Sequence, residues 1–186
     1  MTTGPQHEKA PGLIFRRPTD DDHPRVVALV DEWWGGRRVH DLLPRLWFQH
    51  FTGTSWIAET SGGPIAGFLV GFISPDDPET AYVHMVATNP NVRHRGLGRA
   101  MYDRFFDDAT GRGARRVRAV TWPGNRVSVG FHTALGFRIV GGPGSQNLYG
   151  SVAFPDYDYP GDDRVLFEID LPEAGASRSS GSKSAK

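Results

Sequence analysis

Residues 82–101 read YVHMVATNPNVRHRGLGRAM, and this stretch restricts the fold more than any other part of the chain. Tyr82 to Val86 is a β-branched and aromatic run, which suits a pleated strand. Thr88-Asn89-Pro90-Asn91 ends it, because proline brings no N–H to a ladder and asparagine favours turns. Past Arg93-His94-Arg95-Gly96-Leu97-Gly98, apolar residues fall at Leu97, Ala100, Met101, Phe105 and Ala109, which is helical spacing. The unit is strand, basic glycine loop, helix. A helix start leaves backbone N–H groups unpaired and carries about half a positive charge. Gly96 and Gly98 let a ligand approach the backbone, and Arg93, His94 and Arg95 add cationic charge there. Together they predict a cradle for a diphosphate. Two nucleotide motifs are excluded. The dinucleotide fingerprint wants a third glycine where Met101 stands, and the Gly-Lys-Ser/Thr of a P-loop is absent.

The rest of the chain reads as one domain around this unit. At 186 residues it can bury a real core. Lys plus Arg and Asp plus Glu both number 21, so no net charge argues for nucleic acid or a membrane surface as partner. There is no cysteine, hence no disulfide framework and no thiol chemistry. No run of about 18 apolar residues predicts a membrane span, no apolar signal core opens the chain, and the cytoplasm is the expected compartment. Residues 1–12 and 172–186 are polar and rich in small residues, so disordered tails are expected around a domain at 13–171. The three lysines, Lys9, Lys183 and Lys186, all lie in these tails.

In order, Leu13–Arg16 reads as a strand. Thr19 to Asp22 offers a helix N-cap with acidic residues in the first turn, and Gly35-Gly36 stops that helix. Asp41–Phe51 predicts a short second helix, with Pro44 near its start. Strands are expected at Thr54–Glu59, Ile65–Ile73, Tyr82–Val86, Arg116–Thr121, Phe137–Val140 and Arg164–Leu171. A third helix covers Ser128–Leu135 and ends at Gly136, and 141–161 reads as a long loop.

The Arg-x-x-Gly-x-Gly of Arg93 to Gly98, directly after a strand and a proline turn, resembles motif A of the GNAT superfamily of acetyl-CoA-dependent N-acetyltransferases. A second block, Asn125 followed by Phe131-His132-Thr133-Ala134-Leu135-Gly136-Phe137, is similar to that family's Asn-x6-Tyr-x-x-Leu-Gly-Phe segment, with His132 where Tyr is usual. The resemblance spans 13–171, and these two blocks are its specific parts. It implies an α/β GNAT fold: a mixed, mostly antiparallel central sheet, splayed between strands 4 and 5, with helices on both faces. It also implies acetyl-CoA in the splayed cleft, no metal, and transfer of acetyl to a primary amine by direct attack through a tetrahedral intermediate. The expected partner is a small-molecule amine; a homodimer is also carried as an expectation. Two other readings stay open: acetylation of protein N-termini or lysines, and a non-catalytic acyl-CoA-sensing module.

The resemblance also assigns residues. Val86, Ala87 and Thr88 would present backbone groups to the pantetheine arm, with the Val86 N–H stabilising the oxyanion. Arg93, His94, Arg95, Gly96, Leu97, Gly98 and Arg99 would hold the diphosphate. Asn125 would touch the pantetheine, or simply cap a turn. His132, at the position of the family's acidic Tyr, would protonate the departing thiolate, or else bind cofactor or pack. The Glu that some relatives use as base is Val120 here. His84 is the alternative base. It is expected on the same face as Val86 two residues on, and its placement is similar to a catalytic His of the aralkylamine N-acetyltransferases, with Tyr82 where their other His stands. A structural histidine is the competing reading. In this superfamily the first two helices and the final loop build the acceptor site. Here they supply Asp31, Glu32, Trp33 and Trp34, then Asp156, Tyr157, Asp158 and Tyr159. Carboxylates with aromatic faces suit a cationic amine, although the same residues serve equally as core and solvated loop. The Gly67–Thr88 region, around SPDDPET, also resembles diaminobutyrate acetyltransferases.

Overall fold

The computed structural model describes residues 12–61, 63–92 and 96–172. The expected tails, apart from Gly12 and Pro172, lie outside the described residues, and so do Arg93, His94 and Arg95. β1 (Leu13–Arg16) leads into α1 (Asp22–Trp33). Asp22 is buried, takes the Thr19 N–H at 2.8 Å and is gripped by the Arg16 guanidinium at 2.6 and 2.7 Å. Burial alone would raise its pKa, but the Arg16 and Thr19 hydrogen bonds outweigh it and hold the group at about 2. The start of α1 is thereby tied to the sheet.

Residues 41–51 do not form the expected helix. Two short 3-10 turns stand there, His40–Leu42 and Arg45–Phe48. Pro44 between them is extended, with φ −58° and ψ 152°, and proline also disfavours helical geometry in the residue before it.

The sheet follows as β2 (Trp56–Thr60), β3 (Ile65–Ile73), β4 (Thr80–Thr88), then α2 (Leu97–Gly111), β5 (Arg116–Thr121), α3 (Arg126–Leu135) and β6 (Arg138–Val140). The stretch expected as a loop at 141–161 contains a hairpin, β7 (Gln146–Leu148) and β8 (Ser151–Ala153). Tyr149 and Gly150 turn it with φ 53° and 82°, the left-handed pair that a two-residue hairpin needs. β9 (Val165–Asp170) closes the chain. Seven strands run in the order β1-β2-β3-β4-β5-β9-β6, and β4–β5 is the parallel pair among otherwise antiparallel neighbours.

The sheet is covered on both faces. Met101, Tyr102, Phe105 and Ala109 of α2, with Leu135 of α3, bury one face; Val26, Val30 and Trp33 of α1, with Leu43, Trp47 and Phe48 of the 3-10 segment, bury the other. Burial of these apolar surfaces is the main drive for this layered arrangement. None of the described helices is long and apolar enough to cross a membrane.

Candidate active site

The site begins where β4 and β5 separate. Their pairing runs from Thr80 opposite Arg116 to Val83 opposite Ala119 and goes no further. From Met85 to Thr88, β4 keeps β3 on one side and, among the described residues, has no strand on the other. The ladder to β3 carries a bulge at the same place: Gly71 faces Val83 and Val70 faces Met85, so His84 is left unopposed. One extra residue reverses the alternation of side chains. Ala81 and Val83 join the α2 core, whereas Met85 and Ala87 join the α1 core, and Val86 packs on the α2 side. His84 stacks on Trp47 of the α1 side. The expectation that His84 and Val86 share a face is therefore corrected; they point to opposite faces.

The backbone beyond the bulge has a defined polarity. Asn89 donates its N–H to the Ala66 carbonyl at 2.8 Å, which makes this opposed pair a hydrogen-bonded one. By the alternation of an antiparallel ladder, Ala87 is then bonded to Phe68, while Val86 and Thr88 turn their backbone groups away from β3. They face the side that β5 has left. Of the three residues expected to present backbone groups, Val86 and Thr88 do so, and Ala87 spends its own on β3.

His84 sits at the edge of this opening. Its Nε2 lies 2.7 Å from the Leu42 carbonyl, and its ring stacks on Trp47 at 4.3 Å and 12°. A carbonyl can only accept, so Nε2 carries the hydrogen and Nδ1 keeps its lone pair. Burial lowers the pKa below the ordinary 6.5, against the raising effect of the Leu42 hydrogen bond. The ring is neutral at pH 7 with one basic nitrogen in hand.

His132 is different. It is 4% exposed and stacks on Phe167 at 4.6 Å. Its Nδ1 lies 2.8 Å from the Ser128 carbonyl and its Nε2 2.8 Å from the Tyr102 hydroxyl. Nδ1–H therefore donates to Ser128, and Nε2 accepts from Tyr102. Burial lowers its pKa too. A neutral ring with both nitrogens engaged has no proton to deliver, so the geometry corrects the expectation of a general acid. The sequence gives Tyr102 a helical core position but no sign that its hydroxyl meets a histidine thirty residues later.

At the start of α2, Gly96 has φ 75° and open space around a would-be Cβ. Having no side chain, it leaves the first N–H groups of α2 uncapped. Gly98 has another reason to be glycine: a Cβ there would meet the Phe131 ring at 2.9 Å. Its small size serves the contact of α2 with α3. Arg99 donates to the Ala134 carbonyl at 2.8 Å and bridges the same two helices. Asn125 caps α3, accepting the Ser128 N–H at 3.2 Å.

On the acceptor side, several expected residues have structural work. Trp33 is 5% exposed and stacks on Phe68 at 6.4 Å, inside the core. Trp34 is half-buried beside that core, and Glu32 is exposed. Asp31 takes the Val39 and His40 N–H groups at 2.8 and 2.9 Å and the His40 ring at 2.6 Å. Asp156, with φ 52°, accepts the Gly161 N–H and so closes its own turn. Asp158 pairs with Arg164 at 2.8 Å, and Tyr159 is 72% exposed.

Tyr82 and Tyr157, by contrast, meet at a cavity of about 450 Å³. Its floor is made by Arg118, Val120, Leu166 and Glu168, on the α1 face of the sheet. Burial, with the charges of Tyr157 and Asp158, pushes the Tyr82 hydroxyl up to about 12, so it stays a hydrogen-bond donor. An aromatic series joins the cavity to His84: Tyr82–Phe72 at 5.6 Å, Phe72–Trp47 at 6.0 Å, Trp47–His84 at 4.3 Å. Arg118 and Glu168 went unnoticed in the sequence, where each reads as an ordinary polar position of an alternating strand. Among the described residues, no group of three or more potential metal ligands comes together.

The Acetyltransferase (GNAT) family matches residues 22–137. The chain is 30% identical over 161 residues to the L-2,4-diaminobutyric acid acetyltransferase of Streptomyces coelicolor, which covers 83% of this chain and 94% of that relative. It is 32% identical over 117 residues to the protein of the same name from Nocardia farcinica, over 63% of this chain and 60% of the relative's length. In structure it is similar to diaminobutyrate acetyltransferase EctA from Paenibacillus lautus, in complex with its substrate L-2,4-diaminobutyric acid and coenzyme A. The TM-score is 0.62 at 27% identity, over 87% of this chain and 96% of that one.

Proposed function

Because this chain belongs to the acetyltransferase (GNAT) family, we propose that it transfers acetyl from acetyl-CoA to a primary amine of a small molecule, with His84 as the base. The observation that carries this reading is the coincidence at the β4 bulge. A neutral imidazole whose Nδ1 has no hydrogen-bond partner among the described residues stands beside a strand edge that β5 has vacated. The residues present fit a thioester co-substrate. The free edge at Val86 and Thr88 suits its extended arm, and the uncapped start of α2 suits its diphosphate. When bound, the co-substrate supplies the activated acyl group. The Val86 N–H would stabilise the charge that develops on the carbonyl oxygen. His84 would take the amine's proton at Nδ1, directly or through a water. The thiolate is the better leaving group of the tetrahedral intermediate once the amine has lost its proton, and with His132 engaged on both nitrogens it takes its own proton from solvent.

The relatives named for L-2,4-diaminobutyric acid support a short diamino acid as the acceptor. The cavity bounded by Tyr82 and Tyr157 has a size suited to a small ligand.

Steady-state kinetics of His84→Ala test the role of the base. Turnover should fall roughly 100- to 10,000-fold, with acetyl-CoA affinity unchanged. In the wild type the rate should rise with pH as the imidazole loses its proton. Since burial depresses that pKa, the limb lies below 6.5 and the rate is level by neutrality. Wild-type turnover in His84→Ala, with the same pH limb, would hand the proton to water.

A further inference from the structure

We propose that Arg118, oriented by Glu168, is the anchor for a carboxylate on the acceptor, so that the enzyme selects amino acids over plain amines. The inference rests on the acceptor reading above and adds the group that recognises it.

Two arginines share one buried carboxylate. Glu168 is 8% exposed, and its Oε2 takes Arg118 Nε at 2.6 Å while its Oε1 takes Arg138 Nη2. Both terminal nitrogens of Arg138 are then engaged, because its Nη1 goes to Asp170 at 2.7 Å. Arg118 differs. Only its Nε is engaged, and among the described residues Nη1 and Nη2 have no hydrogen-bond partner. Arg118 lines the cavity and Arg138 does not. Glu168 therefore fixes the guanidinium by one edge and leaves its terminal fork for a ligand. A planar fork of this kind matches a carboxylate in bidentate fashion.

The charge balance agrees. Glu168 has each oxygen on an arginine, so its charge is already balanced by two guanidiniums. The remaining polar groups on the wall, such as Tyr82, Thr80 and Ser74, are uncharged. Asp158, whose charge reaches Tyr82, and Asp77, whose charge reaches Arg118, stand outside this lining, so the element of the floor that favours an anion is the Arg118 fork itself. The spacing agrees as well. Arg118 lies beside Tyr82 in the β4–β5 pairing, and Tyr82 is two residues before His84, about 7 Å along the strand. A short diamino acid with its carboxylate on Arg118 can reach toward His84 with its distal amine, past the aromatic wall of Phe72 and Trp47.

The test compares L-2,4-diaminobutyric acid with 1,3-diaminopropane, which lacks only the carboxylate. Wild-type enzyme should prefer the acid. Arg118→Gln should lower kcat/KM for the acid by roughly 10- to 100-fold, chiefly through KM, as for loss of a charged hydrogen bond. Its turnover of 1,3-diaminopropane should be unchanged. Arg118→Gln leaves Glu168 paired with Arg138, so a melting temperature near wild type is expected. Arg138→Gln removes the other arginine from the same carboxylate and should keep the preference for the acid. If the wild type uses both amines equally, or Arg118→Gln retains the preference, the carboxylate anchor is wrong while the acceptor reading stands. If the wild type acetylates neither amine, the acceptor reading falls and the anchor with it.

Discussion

A neutral imidazole with one nitrogen tied to a carbonyl has a single nitrogen left to use, and what that nitrogen meets decides its chemistry. At His84 it has no partner among the described residues, and at His132 it accepts from Tyr102. Both residues were visible in the sequence as titratable groups near the family blocks. Their different uses were not, because tautomer and partner are set by residues far away in sequence: Leu42 for one and Tyr102 for the other. Tyr102→Phe should make the distinction measurable. It leaves Nε2 of His132 buried without a donor, which should destabilise the fold by about 1–3 kcal/mol in chemical denaturation. Turnover below the melt should be unaffected. A large fall in turnover with stability intact would return His132 to the chemistry.

Elements whose identity rests on local pattern were legible. Ile65–Ile73, Arg116–Thr121 and the helix from Leu97 emerge as the periodicity predicts. Elements that depend on one backbone angle were not. Pro44 cuts the second helix into two turns, and Tyr149 adopts φ 53° in a hairpin where Asn or Asp would have signalled it. The bulge at His84 belongs to the same class, since it is a difference in count between two strands rather than a property of either. At the α2–α3 contact the glycine at 98 accommodates Phe131, so Gly98→Ala should cost stability in proportion to that ring. The expected loss is about 1–3 kcal/mol, offset in part by alanine's better helix propensity. In a Phe131→Ala background the loss should shrink by at least about 0.5 kcal/mol. Strict additivity of the two substitutions would show that Gly98 serves something other than this contact.

At the scale of the whole molecule, the sheet separates two tasks. The α2 face carries the glycine-started helix and the packing that holds it, and the α1 face carries His84, the aromatic wall and the cavity over Arg118. The gap between β4 and β5 is where the two faces communicate. The sequence showed the first face through its motif. It gave little of the second, because Phe72, Trp47, Tyr82, Arg118 and Glu168 come from separate strands and turns and share no local pattern. Of the amine-binding set expected from Asp31, Glu32, Trp33, Trp34, Asp156, Tyr157, Asp158 and Tyr159, Asp31 and Asp156 close turns and Tyr157 lines the cavity. The most direct measurement of the account is thiol release from acetyl-CoA with L-2,4-diaminobutyric acid as acceptor, followed by mass analysis of the product. Thiol release should depend on the amine, with one acetyl group gained per thiol freed. Acetyl-CoA binding without amine-dependent release, across that acid and a panel of other small amines, would contradict it.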